Sequence, residues 1–363
     1  RLVGSEMCIR DRFRPKDEVT LARQDELSVN QNAAEPIEED TRAGDSVALL
    51  AIARSLNMWE SWETNEKMDN WDNVVLWEEG MDGYTPEKAG RVKFARFSTF
   101  GTKEGLPFEV QYLTAADELV FFSNTNWTTF DLSTGEYITK LGQLRRLTIS
   151  GYGLVDLDPD FKNLKNLESL DISVNNFEKI PEVLTKENFP KLHALYLNTC
   201  QRGVIYDLSN TTTTHFGGLF EETDQTREFP RRLLEWDNLD TLTLSVNYLQ
   251  GRIPDMKDYA QKYTQADISA ADSLPQALVG TPKVLPNIKR FSINLNRLTG
   301  ELPEWLLHHP ALDWMDPFTL VFTQEGKDQD GKLAGFTNEP VNLDEYYRFY
   351  EGKKYLDPNK KEE

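Results

Sequence analysis

One apolar frame returns three times in nearly complete form: LESLDISVNNFEKIP (167–181), LDTLTLSVNYLQGRIP (239–254) and IKRFSINLNRLTGELP (288–303). As a template it reads LxxLxLxxNxLxGxIP. Weaker copies begin at Val92, Ala116, Leu144 and Leu192, so the starts fall at 92, 116, 144, 167, 192, 239 and 288. The steps between them are 24, 28, 23, 25, 47 and 49 residues. The first four fit a single repeat of about 20–29 residues. The last two are about twice that length, so residues 201–238 and 255–287 are expected to be insertions or degenerate repeats.

The template dictates a way of folding. Its central apolar pair alternates with polar positions, as a strand with one buried face does. One short strand cannot bury that face alone, but strands of successive repeats stacked as a parallel sheet can. The asparagine after the strand is expected to turn inward, where its amide satisfies backbone groups at the bend. Asn124, Asn175, Asn247 and Asn296 occupy that slot, and Cys200 occupies it in the fifth copy. The proline of the IP pair ends the strand and opens the return segment.

These residues resemble leucine-rich-repeat proteins, with the LxGxIP ending of the plant-type class that also occurs in bacterial surface proteins. The resemblance covers roughly residues 45–340 and implies an α/β solenoid: a right-handed superhelix with a parallel concave sheet. Ala95 and Ala116 replace leucines and Phe100 and Tyr152 replace the asparagine, so those copies are expected to pack less regularly. Ahead of the repeats, DSVALLAIARSL (45–56) predicts a helix capped by Asp45 or Ser46, with Val47, Leu50, Ile52 and Leu56 on its apolar face. Trp59, Trp62, Trp71 and Trp77 follow, and helix plus tryptophans resemble the N-terminal cap of bacterial members of the family.

The expected organisation is therefore a cap at 45–90, repeats at 91–310, a C-terminal cap at 311–345 and a charged tail at 346–363. Residues 13–44 read as an acidic linker or the end of an upstream domain. They belong to a stretch, 13–90, that holds 18 Asp and Glu against 7 Lys and Arg. Residues 1–12, RLVGSEMCIRDR, resemble the translated end of a transposase adapter used in sequencing libraries, which places a natural N-terminus, with any signal or lipid anchor, upstream. A bacterial cell-surface or secreted location, as a lipoprotein or a freely secreted protein, is what the resemblance implies.

The chemistry the sequence can offer is narrow. A formal charge of −20 repels phosphate backbones, so nucleic acid is not an expected partner. With Cys8 set aside with the adapter, Cys200 is the remaining thiol. His193 and His215 lie near it in sequence, but the inward slot makes it a small apolar residue rather than a nucleophile. GKDQDGKLAGFT (326–337) places Asp328, Asp330 and Gly331 as in half a calcium loop, but Gly326 and Thr337 stand where carboxylates belong. A glycine-rich hairpin is the expectation there, and a simple turn for DLDPD (156–160). No catalytic residue, cofactor or metal site is assigned.

The positive expectation is a binding face. Polar positions flanking the buried pair should align across repeats. One column reads Arg96, Val120, Thr148, Asp171, Tyr196, Thr243 and Ser292; its neighbour reads Ser98, Phe122, Ser150, Ser173, Asn198, Ser245 and Asn294. At about 4.8 Å per strand, seven strands span about 29 Å. The resemblance implies a non-catalytic module that binds a protein or glycan on this concave face and on the inserted loops. Two alternatives are the targeting arm of a larger enzyme whose catalytic domain lies upstream, and a passive surface spacer.

Overall fold

The computed structural model describes residues 38–56, 67–99, 106–123, 135–175, 177, 179–200, 228–271, 274, 276–307, 309–312, 323–327 and 331–338. Asn124, Trp59, Trp62, Phe100, His215, Asp328 and Asp330 lie outside them. The chain divides into two compact units, Arg1–Phe177 with Pro181–Val183 and Val204–Phe216, and Glu178–Ile180 with Leu184–Gly203 and Gly217–Glu363.

The first unit opens with helix α1 (Arg42–Ser55), three residues earlier than its apolar pattern begins. Neither Asp45 nor Ser46 caps it. The Thr41 hydroxyl does, accepting the Gly44 N–H at 2.9 Å, because a cap must precede the first turn rather than lie inside it. Asp45 is turned instead onto Arg91, whose Nε and Nη2 both donate to its carboxylate at 2.8 Å. The helix is buried on every side from Asp45 to Ala53, as an Ala- and Leu-rich helix without a polar face must be. Tyr112, on the 3-10 turn Phe108–Tyr112, packs against its Val47 and Ala51.

Strand β1 (Val74–Leu76) runs antiparallel to β2 (Val92–Thr99), which begins a parallel run with β3 (Glu118–Ser123), β4 (Arg146–Ser150) and β5 (Ser169–Asp171). A single helical turn, α2 (Gly135–Ile138), and the 3-10 turn Pro159–Asn163 return the chain between them. The DLDPD segment is a helix start: Asp158 accepts the Asp160 N–H at 2.8 Å. Ala95, Leu119, Leu147 and Leu170 stand in one register row, buried as the template requires. Phe97 and Phe121 stack at 5.0 Å in the next row. Trp71 and Trp77 are buried, with the Trp77 indole N–H on the Ala115 carbonyl at 2.8 Å.

In the second unit β6 (Ala194–Tyr196), β7 (Thr241–Thr243) and β9 (Arg290–Ser292) are parallel, with Leu195, Leu242 and Phe291 in register. A second parallel sheet joins β8 (Gln250–Gly251), β10 (Arg297–Gly300) and β11 (Gly335–Phe336). It is built from the LxG segments. Gly251 and Gly300 hold φ of 76° and 90°, and a Cβ on Gly300 would meet the Arg252 side chain at 3.0 Å.

Three segments add detail to the expected organisation. Residues 228–238, assigned to an insertion, carry helix α3 (Arg231–Leu234) and bury Phe229, Leu233, Leu234 and Trp236 as the return segment of a coil. Part of 311–345, assigned to a cap, continues the repeat. Gln324 accepts from Leu298 N and donates to Ile293 O, both at 3.1 Å. Residues 326–327 and 331–334 carry the pairing expected of the glycine-rich hairpin, with Lys327 bridged antiparallel to Leu333 and Ala334 N on Gly326 O at 3.1 Å.

The inward asparagines tie coil to coil. Asn175 accepts from Tyr152 N and Leu154 N at 3.1 Å and donates to Ile149 O and Ile172 O at 2.8 Å. Asn247 accepts from Cys200 N at 2.7 Å and donates to Leu197 O at 2.6 Å. Asn296 bridges Asn247 N and Leu249 N to Leu244 O and Ile293 O. The residue before each slot is left-handed: Val174, Thr199, Val246 and Leu295 have φ between 55° and 61°.

Candidate functional site

The outward side chains of the strands form the columns that the template implies, in each unit separately. In the first, Arg96, Val120, Thr148 and Asp171 share one register line, and Ser98, Phe122 and Ser150 the next. In the second, Tyr196, Thr243 and Ser292 are aligned. The columns are not uniformly open. Arg96 is exposed, its guanidinium 5.3 Å from the Phe122 ring, and Tyr196 is half-buried. Ser150, Ser173, Thr243 and Ser245 are each less than a tenth exposed.

Several of the polar residues serve the fold. Asn198 accepts the Ser245 N–H at 3.0 Å, and the Asn294 amide oxygen takes the hydroxyls of Ser245 and, at 2.8 Å, Ser292. Asp171 accepts the Ser173 N–H at 2.9 Å. In the first unit the bulky groups left to meet a partner in the two columns are Arg96 and Phe122; in the second, Tyr196. Cys200 is buried, with its thiol 3.7 Å from Asn198 O, while His193 is exposed with its Nδ1 3.1 Å from Asp240.

A third outward line, absent from the sequence reading, precedes these two. Phe94, Glu118, Arg146 and Ser169 are in register across β2 to β5. Beside it sits an ion-pair lattice centred on Asp117, which is 6% exposed. Its carboxylate meets Lys93 at 3.3 Å, Arg146 at 3.2 Å and Arg145 at 3.6 Å. Arg146 Nε also donates to Glu118 at 2.8 Å, and Arg145 forks onto both oxygens of Glu168 at 3.0 Å. These groups, Glu168 excepted, line an open recess of about 500 Å³ together with Asp82 and the apolar side chains of Val75, Met81 and Phe94. The template allows any residue at these positions, so residue type alone did not mark them.

The second insertion is a built element of the second unit. Lys262 and Pro282 bridge antiparallel, and helix α4 (Gln265–Ala270) is capped by Thr264 and Asp267 in reciprocal bonds. Lys283 ties to Asp267 at 2.7 Å, and this bond, first among its causes, holds the Asp267 carboxyl at about 2. With helix α5 (Glu304–Leu307) and the turns Ile253–Pro254 and Leu302–Pro303, the insertion lines a cavity of about 790 Å³. His309 lies in its wall, Nε2 on Val284 O and Leu285 O at 3.0 and 2.9 Å, Nδ1 accepting Ala311 N–H at 3.1 Å.

Burial holds the His309 pKa at about 4, down from the ordinary 6.5. Between those values the unfolded chain binds a proton that the folded chain does not, so stability falls as pH falls through that window. The loss is about 3 kcal/mol from pH 7 to pH 4. Urea unfolding of wild type and His309→Gln at both values tests this: the variant lacks that part of the acid loss. Equal acid losses in the two proteins would rule it out.

No family model and no curated protein matches the chain. Among solved structures it is similar to a plant ice-binding protein, at 19% identity and a TM-score of 0.42, over 78% of this chain and 86% of that one. It is also similar to the Arabidopsis receptor kinase HAESA, solved with a peptide hormone and a co-receptor, at 18% identity and 0.39, over 72% of this chain and 38% of that one. A leucine-rich-repeat protein of Leptospira interrogans follows at 14% and 0.34, over 60% and 41%. The chain spans less than half the length of the latter two.

Proposed function

We propose that this protein is a non-catalytic recognition module, binding a protein or glycan through the outward face of its parallel strands. The observation that carries the proposal is the arrangement of Arg96 over Phe122, in line with small polar neighbours on adjacent strands. A spacer has no need of an exposed arginine held against an aromatic ring, whereas such pairs are the side chains that dominate recognition surfaces. Tyr196 supplies the comparable group in the second unit. Helix α1 and the tryptophans act as the cap that shields the first strand edge, and the setting is a bacterial surface or the extracellular medium.

The test is a printed array of glycans and extracellular proteins probed with the labelled full chain. Joint replacement of Arg96, Phe122 and Tyr196 by alanine is expected to lower the strongest signals about tenfold or more. Circular dichroism should be unchanged, since none of the three is in the core. Undiminished signals would overturn this face as the binding surface, and a wild-type chain that gives no signals would favour the spacer.

A further inference from the structure

We infer that the recess beside Phe94, Glu118 and Arg146 is a site for a neutral saccharide. The inference rests on the recognition reading above and decides its ligand class. Three observations meet here. The first is order: Phe94, Glu118 and Arg146 are directly opposed on β2, β3 and β4, so an aromatic ring, a carboxylate and a guanidinium follow one another at about 4.8 Å intervals.

The second is unused hydrogen-bonding capacity on rigid groups. Arg146 is fixed by Nε on Glu118 and Nη2 on Asp117, which leaves its Nη1 without a partner among the described residues. Glu118 accepts through Oε2, which leaves Oε1. Both side chains are partly exposed, at 40% and 28%. One planar donor and one planar acceptor, held side by side and already ordered, suit vicinal hydroxyl groups, and little side-chain freedom is lost on binding. Phe94, half-buried in the same wall, offers a ring face whose negative quadrupole attracts the C–H groups of a sugar ring.

The third is charge balance. Lys93, Arg145 and Arg146 face Asp82, Asp117, Glu118 and Glu168, three cations against four carboxylates. An anion meets Glu118 and Asp82; a cation meets the two arginines. A charge-steered protein partner would need a patch of one sign, and this lattice has none. A neutral polyol uses donor and acceptor together.

Calorimetry on the full chain, with neutral di- to tetrasaccharides of glucose, galactose, mannose and xylose, tests the assignment. At least one is expected to bind saturably, with little change between low and high salt. Phe94→Ala and Glu118→Gln should each weaken it about tenfold or more, while Phe94→Tyr retains it. The unfolding midpoint of each variant confirms the fold, and the Gln and Tyr substitutions keep size and shape. Three outcomes overturn the inference: no neutral sugar binds; Phe94→Ala and Glu118→Gln bind as wild type; or binding is confined to polygalacturonate or polylysine and collapses with salt. If the sugars fail but the Arg96, Phe122 and Tyr196 triple variant still loses array signals from proteins, the saccharide assignment falls and the recognition reading stands.

Discussion

Asp45→Ala is expected to destabilise the protein by about 3–5 kcal/mol, read as a fall in the urea midpoint. Asp45 is 1% exposed and Arg91 5%. The carboxylate receives three donors at 2.8 Å: Arg91 Nε, Arg91 Nη2 and the Val92 N–H. Removing it strands a guanidinium in a dry site, where Thr114 Oγ1 at 3.0 Å is its remaining close partner and Asp40 stands 3.7 Å away. The cost is that of the orphaned cation, not of the pair itself. A buried pair gains little over a well-packed apolar pair, because desolvating two charges offsets most of their attraction. Asp45→Leu combined with Arg91→Met should therefore cost less than Asp45→Ala alone. If the double variant is as unstable as the single, the loss comes from packing of α1 on β2 rather than from the unpaired charge.

The sequence carried the rows that face inward and little of what faces outward. Inward positions are legible because residue type and period agree: every first, fourth and sixth template residue from Val92 to Ile293 is buried, even where Ala95 or Ala116 stands for leucine. Outward positions obey no rule of type, so Phe94, Glu118 and Arg146 had no pattern to betray them; only the strand register brings them into line. The last coil was hidden for another reason. Gln324 replaces asparagine, and an added stretch of sequence between Gly326 and Leu333 divides its template, yet one further methylene lets the glutamine amide reach the same kind of partners in the coil before. The α1 start was misplaced because Asp45 is a good cap by type. Its partner, Arg91, is 46 residues away, and no local pattern could show that the carboxylate was already engaged. Left-handed Val174, Val246 and Leu295 are the least legible of all. Branched or bulky residues avoid that conformation at about 1–2 kcal/mol each, and they hold it because the amide that follows is fixed by bonds to the backbone.

That dependence makes Asn296→Ala a sharp test of the inward asparagines. Its side chain accepts Asn247 N–H at 2.8 Å and Leu249 N–H at 3.3 Å, and donates to Leu244 O at 2.9 Å and Ile293 O at 2.8 Å. Asn296 is 0% exposed, so water cannot replace these bonds without opening the coil. Each buried backbone group left without a partner costs about 1–3 kcal/mol. With partial relaxation the expected loss is about 4 kcal/mol, alongside release of the strained φ of 57° at Leu295. Asn296→Asp separates hydrogen bonding from volume: it keeps the acceptor and the size but loses both donors, and places a charge at a fully buried position. It should be no more stable than the alanine variant at neutral pH, and should regain stability as acid protonates it. Amide exchange gives the spatial readout. Asn247 and Leu249 N–H should lose protection in Asn296→Ala, while Tyr152 and Leu154 N–H, held by Asn175 in the first unit, should lose less. Full protection at Asn247 and Leu249 in the variant would mean that the side chain fills space without tying the coils.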